Sequence, residues 1–220
     1  ADALSEYNRL YDHKTRILRD AEEHPSLLDT LPDFNLRMAQ YGAVLIYYRA
    51  RFCRLLAEYA SAAHHECSGG REELILAYET VKTIDDPFAG QEVLFDRLMA
   101  HQREHYHAEL ASRLCLSGPH KDDIAVSIGG TAARAYSSQG QTRTAALSLK
   151  LAERDIFRDV TGFSPVLLLD DVLSELDPRR QEFVLNRISG GQVFITCCEE
   201  DRLETMLKGK VFHVEDGKIR

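Results

Sequence analysis

The segment at residues 164–178, SPVLLLDDVLSELDP, constrains the fold more than any other part of the chain. Val166, Leu167, Leu168 and Leu169 are consecutive and apolar with no polar alternation, the pattern of a central strand in a sheet covered on both faces. Helical patterns flank it, over about 142–160 before and 178–188 after, and another short apolar strand follows at 192–196. Helices alternating with continuously apolar strands predict an α/β fold. The strand ends on two adjacent carboxylates. Asp170 stands where the strand emerges and can accept Mg²⁺ through coordinated water, while Asp171 can polarise an attacking water. Metal placement and water activation are separate tasks, so two acids are needed. The bland alternative is that both acids cap the following helix.

The first half of the chain is mainly helical. Leu4, Tyr7, Leu10, Tyr11, Ile17 and Leu18 form a helical stripe that ends before His24-Pro25-Ser26. Phe34, Met38, Tyr41, Leu45, Tyr48, Phe52, Leu55 and Tyr59 then recur in alternating steps of four and three, predicting a largely aromatic a/d seam of a coiled coil or helical hairpin. Cys67-Ser68-Gly69-Gly70 stops that helix, residues 72–80 read as a strand, and a helix is expected over about 91–115. Ser117-Gly118-Pro119 marks a change, after which a strand at 124–128 and Gly129-Gly130 predict a hairpin. A last short helix and a hairpin around Asp216-Gly217 complete the order. The division expected is a helical arm over 1–116 and a second domain over 117–220.

With 220 residues, 44% of them apolar, the chain can build its core without disulfides. The five cysteines, at 53, 67, 115, 197 and 198, contain no C-x-x-C pair and read as reduced thiols. No apolar run reaches the roughly 20 residues that cross a bilayer, so a membrane-spanning role is not expected. A net charge of -8 argues against a uniformly basic surface that wraps nucleic acid, though it leaves room for a local basic groove.

Three further motifs carry chemistry. Ser137-Ser138-Gln139-Gly140-Gln141 heads a helix, where a hydroxyl and exposed N–H groups can hold a phosphate. Gly118-Pro119-His120-Lys121-Asp122-Asp123 reads as a hydrogen-bonded corner or a neighbour of nucleotide. QVFIT ends on Thr196, whose hydroxyl can reach a γ-phosphate or its water. His101, His105 and His107 lack a third ligand at persuasive spacing and read as packed or solvated helix histidines, as do His64 and His65.

In this order the motifs resemble the ATP-binding-cassette/SMC-like ATPase superfamily and, within it, the RecF family. The resemblance covers essentially the whole chain and implies the C-terminal part of a P-loop ATPase head preceded by a helical arm. It makes LLLDDVLSELD, at 167–177, the Walker B motif and D-loop, with Asp170 as the Mg²⁺ carboxylate. Asp171 then stands where transporters carry the catalytic glutamate, and Ser174, Glu175, Leu176 and Asp177 form a D-loop that crosses a dimer interface. SSQGQ becomes the signature motif, with Ser138, Gly140 and Gln141 matching and Gln139 replacing the first glycine of the transporter form. The resemblance implies that these residues touch the γ-phosphate of ATP held by the opposite subunit. Thr196 stands at the position of a switch histidine, and Cys197 and Cys198, which depart from the family's threonine-rich run, read as small buried side chains.

The cofactors implied are ATP and Mg²⁺. The partners implied are a second RecF-like subunit, double-stranded DNA at single-strand gap junctions, and RecR- and RecO-like repair proteins, in the cytoplasm at the nucleoid. Residues 1–220 contain no G-x-x-x-x-G-K-[ST] loop. A separate N-terminal Walker A lobe is therefore expected, and without it little ATPase activity. The alternatives are an SMC-like structural ATPase, which calls for a longer coiled coil, and a non-enzymatic helical interaction module.

Overall fold

The computed structural model describes residues 2–173, 176–188, 190–197 and 209–219. Helix α1 (Asp2–Asp20) is followed by a 3-10 turn (Pro25–Thr30), the 38-residue helix α2 (Leu31–Ser68), strand β1 (Leu74–Glu79) and helix α3 (Gln91–Ser112). A second 3-10 turn (Pro119–Lys121) leads into β2 (Asp123–Ile128), β3 (Thr131–Ala132) and the short α4 (Ala133–Tyr136). Then come α5 (Gln139–Thr161), β4 (Leu167–Asp170), α6 (Pro178–Arg187), β5 (Val193–Thr196) and the hairpin β6 (Val214–Glu215)–β7 (Lys218–Ile219). The mixed α/β class is the one expected. The short helix expected after β5, Ser174 and Glu175 of the D-loop, and Cys198 lie outside the described residues.

Two compact units are present: Ala1–Ala57 with Leu76–Val126, and Glu58–Ile75 with Ser127–Arg220. In the first, α1 packs Tyr7, Leu10, Ile17 and Leu18 with Leu31, Met38 and Cys115. A second cluster joins Ala39, Ala43 and Ile46 of α2 to Leu94 and Leu98 of α3. The aromatic seam is borne out in its first half, where Met38 is buried and Phe34, Tyr41 and Leu45 pack against the α1 cluster, and corrected in its second. Tyr48 is 64% exposed and Phe52 47%, whereas the buried stripe of α2 runs through Ala39, Ala43, Ile46, Ala50 and Cys53. Small residues let neighbouring side chains approach the helix backbone: a Cβ added at Gly42 would come within 3.0 Å of the Leu98 side chain and 3.1 Å of the Pro119 ring. Bulky rings cannot occupy that contact and move to its rim.

The GPHKDD segment is a structural corner of this unit. Arg49 donates to the Pro119 carbonyl at 2.7 Å and lies 3.7 Å from Asp122, whose carboxylate also accepts from Tyr78. Burial raises the Asp122 carboxyl above its ordinary value. His120 Nε2 donates to the Cys115 carbonyl at 2.9 Å, which leaves Nδ1 to accept the Tyr7 hydroxyl at 2.8 Å. Gly118 has a φ of 135°, and a Cβ there would overlap the Tyr7 hydroxyl. Nearby, Lys14 and Glu109 form a buried ion pair at 2.6 Å, and Glu109 also accepts the Leu116 N–H at 2.7 Å. His101 bonds the Ser117 hydroxyl at 2.7 Å, and His105 Nδ1 donates to the His101 carbonyl at 3.0 Å.

The second unit is built on α5. Leu147 and Leu151 of α5, Leu169 of β4, Leu173, Leu176, and Val184 of α6 with Ile188 make its core. Strands β4 and β5 are parallel, with Leu167, Leu168, Leu169 and Asp170 opposite Val193, Phe194, Ile195 and Thr196. Arg187 ties three helices together, at 2.6 Å from Glu66 of α2 and 3.0 Å from Asp155 of α5.

The expected coverage of both sheet faces is met by the described residues on one face only. Leu169 is buried and Leu167, Val193 and Ile195 pack on the core, but Leu168 is 70% exposed and Phe194 51%. Side chains alternate across a strand, and the described residues supply a helical layer to one face only. Cys197 is likewise exposed rather than buried, because it lies just past the end of β5, beyond the core cluster that covers the sheet.

Candidate functional site

Parallel pairing puts Asp170 directly opposite Thr196. The Thr196 hydroxyl donates to Asp170 Oδ1 at 2.5 Å and accepts the Asp171 N–H at 3.1 Å. The Thr196 carbonyl also accepts that N–H, at 3.2 Å. One threonine thus fixes the first carboxylate and the backbone of the second. Asp171 has a φ of 51°, a left-handed conformation that aspartate tolerates better than most residues and that turns the chain out of the strand. Asp170, Asp171 and Thr196 are all exposed. By the two-residue alternation, Asp170 and Thr196 share the open face of the sheet with Leu168 and Phe194.

A second group of side chains gathers at the starts of α5 and α6. Ser138 caps α5: its hydroxyl accepts the Gln141 N–H at 3.2 Å while Gln141 Oε1 accepts the Ser138 N–H at 2.9 Å. This is a capping box, and the S-x-x-Q spacing is its sequence signal. Beside it is an open depression of about 290 Å³ lined by Ser137, Gln139, Thr142 and Arg143. Asp177 caps α6, accepting the N–H groups of Arg179 and Arg180 at 3.1 Å, with Pro178 in the first turn. Arg180 bridges the two helix starts: Nη1 is 3.3 Å from Asp177, and a Cβ at Gly140 would lie 3.8 Å from the same nitrogen. Ser138, Gly140, Gln141 and Asp177 are therefore brought together, as are Asp170, Asp171 and Thr196.

Two residues at this site were not singled out in the sequence. Arg180 is one, and the positive first turn that contains it is its only sequence signal. Glu72 is the other: its Oε1 accepts Gln141 Nε2 at 3.0 Å across 69 positions, and no periodicity announces that. His64, fully buried on α2, faces Glu72 Oε2 at 3.5 Å. Burial pushes the His64 imidazole below its ordinary pKa, and the Glu72 carboxylate pulls the other way.

The donor set suits a phosphate-bridged cation. Mg²⁺ is held by one or two carboxylates together with phosphate oxygens, and Asp170 offers one exposed hard-oxygen ligand with its orientation already set by Thr196. Among the described residues no cluster of three metal-ligating side chains occurs. The arrangement can therefore place a cation and a water at the strand end, and a phosphate at the start of α5.

No protein-family model matches the chain. Individual relatives do. RecF of Agathobacter rectalis, a DNA replication and repair protein, is 41% identical over 220 residues, covering 98% of this chain and 57% of its own length. The Enterococcus faecalis protein of the same name is 35% identical over 223 residues, with 98% and 59% covered. The solved structure of the recombination mediator RecF with ATP superposes with a TM-score of 0.86 at 32% identity, covering 99% of this chain and 57% of that one. The chain is a RecF homologue. It spans less than three fifths of the length of these relatives, and over that span its α/β architecture matches the solved RecF fold. No helix among the described residues is long and apolar enough to cross a membrane.

Proposed function

We propose that this chain contributes the metal-and-water half and the signature half of a composite ATP site in a RecF-type repair ATPase. The observation that carries the reading is the Thr196 hydroxyl bonded to both the Asp170 carboxylate and the Asp171 N–H at the end of two parallel strands. That is the geometry a strand-end acid pair needs in order to work as a unit. A Walker A lobe, absent from residues 1–220, would hold the phosphates against this face, and the exposed Leu168 and Phe194 support the need for such a covering layer.

In this reading Asp170 holds Mg²⁺, and Asp171 accepts the proton of the attacking water. Bound Mg²⁺ would supply charge neutralisation on the phosphate oxygens. Thr196 keeps the first acid oriented through its single hydroxyl proton, and the lone pair left beside the Asp171 N–H contact can accept from the attacking water. Ser138, Gly140 and Gln141 of one subunit, with Asp177, close the site of the other, so that ATP acts as the glue of a head-to-head dimer. The capping box and the depression beside it support that role for the start of α5. The dimer would clamp double-stranded DNA near single-strand gaps and, with RecO- and RecR-type partners, assist recombinase loading. The relatives' names as replication and repair proteins, and the RecFOR pathway named for the solved structure, support this setting.

The test uses the protein joined to its Walker A lobe. Asp171→Asn should leave ATP binding and ATP-dependent dimerisation in place while lowering steady-state hydrolysis by about 100-fold, within the range for losing a general base. Hydrolysis unchanged in Asp171→Asn overturns the catalytic assignment. Absence of an ATP-dependent dimer under every DNA condition overturns the clamp.

A further inference from the structure

Glu72 sits just beyond the last turn of α2, and its backbone is pinned there: the Glu72 N–H donates to the Ser68 hydroxyl at 3.3 Å, and that hydroxyl lies 3.4 Å from the Glu72 carbonyl. Its side chain is held through one oxygen: Oε1 accepts Gln141 Nε2 at 3.0 Å, while Oε2, shielded from water and without a hydrogen-bond partner, faces the buried His64 of α2 at 3.5 Å. The His64 ring in turn lies 3.4 Å from the Ser148 hydroxyl, about two turns along α5 from Gln141.

A carboxylate can only accept, so the amide of Gln141 must present its nitrogen to Glu72. Its oxygen is then directed at the Ser138 N–H, where it completes the capping box. Turned over, the same amide would lose both bonds. We propose that Glu72 is a positioning residue for the phosphate-facing start of α5, locking the Gln141 amide and coupling it to the end of helix α2. Helix α2 has residues in both compact units, so a displacement of its end is passed through one carboxylate to the cap of α5. The inference rests on the ATP-dependent dimer proposed above, in which Ser138 and Gln141 close the partner subunit's site.

The test uses the full-length protein with its Walker A lobe and reads two quantities: ATP binding by the monomer at low protein concentration, and the protein concentration at which MgATP drives dimerisation, by sedimentation velocity. Glu72→Gln keeps both the reach and an acceptor oxygen, and is expected to dimerise within about twofold of the unaltered protein. Glu72→Asp keeps the charge but withdraws the carboxylate by one methylene. It is expected to weaken dimerisation about tenfold, as for a lost hydrogen bond to a charged group, with monomer ATP binding unchanged. Should Glu72→Asp fail to fold, Glu72→Met answers the same question, since it keeps the length of the side chain but cannot accept from Gln141; the same tenfold loss is expected. Unimpaired dimerisation of Glu72→Asp or Glu72→Met overturns the inference. So does greater impairment in Glu72→Gln than in Glu72→Asp, which would make charge rather than reach decisive, or a parallel loss of monomer ATP binding, which would make the role a general structural one. An unaltered protein that never dimerises with ATP overturns the underlying reading instead, and this inference with it.

Discussion

Replacing Thr196 by valine keeps the shape of the side chain and removes one hydroxyl, which makes it a sharp probe of the strand-end site. In the structure that hydroxyl donates to Asp170 at 2.5 Å and accepts from the Asp171 N–H at 3.1 Å. The N–H keeps a second acceptor in the Thr196 carbonyl at 3.2 Å, so the turn at Asp171 should survive the substitution. What is lost is one hydrogen bond to a carboxylate. Hydrogen bonds to charged groups contribute about 1.5–3 kcal/mol when water is excluded, and less where water can replace the donor. Asp170 and Thr196 are both exposed in this chain, so folding stability should fall by less than about 1 kcal/mol. In the assembled, water-excluding site the full amount applies to the orientation of the carboxylate, which corresponds to a fall of about 10- to 100-fold in kcat. Thr196→Ser should stay within about threefold of the unaltered rate, because it retains the donor. The assay is steady-state ATP hydrolysis by the full-length protein, alongside urea denaturation of the same variants. An unchanged rate in Thr196→Val, or equal impairment in Thr196→Ser, would refute the assignment of the hydroxyl. So would a loss of more than about 2 kcal/mol in stability, which would place the effect in folding.

Two further outcomes concern stability. Lys14→Met leaves the buried Glu109 carboxylate without its cation and should cost about 3–5 kcal/mol, read as a lower urea midpoint with an unchanged slope. His64, His101 and His120 each have a pKa lowered chiefly by burial, so the unfolded chain binds their protons more readily than the folded one. Their contribution is fully present above the unfolded histidine value, near pH 6.5, and is lost as pH falls through and below it. Denaturation at pH 7.5 and 5.5 should therefore show lower stability at the acid value, and equal stability would show that these rings are not held neutral by the fold.

The element order was legible because local chemistry decides it: glycines stop α2, Ser138 and Asp177 cap their helices, and apolar runs mark β4 and β5. That Asp170 and Thr196 both end strands was legible in the same way, but that those strands are parallel neighbours, which sets the two residues opposite each other, was not, because strand pairing is a tertiary choice. Spacing misled on α2. Large aromatic residues dominate any hydrophobic pattern, yet the close contact with α3 was made through Ala39, Gly42 and Ala43, whose smallness carries little weight in such a pattern. Glu72 was illegible for another reason. Its partner is fixed by the tertiary meeting of a helix end with a helix start, and one of two adjacent glutamates after a Gly-Gly turn looks like any solvated acid.

The open face of β4 and β5 joins the apolar and the chemical parts of the problem. Leu168 and Phe194 form one registered pair on that face, and Asp170 and Thr196 form the next pair but one along the same strands. Covering what is still exposed of the two large side chains is worth about 1–2 kcal/mol each, which would favour laying a lobe on the sheet without any nucleotide. The same lobe would bring its edge over the acid pair, removing water from a place where exposure now screens every charge. Electrostatic stabilisation of a transferring phosphoryl group depends on that exclusion, because the same charges act several-fold more strongly at low effective dielectric. In the composite site proposed above, the exposed leucine and phenylalanine have a part, because the apolar contact that would complete the sheet would also exclude water from Asp170 and Asp171.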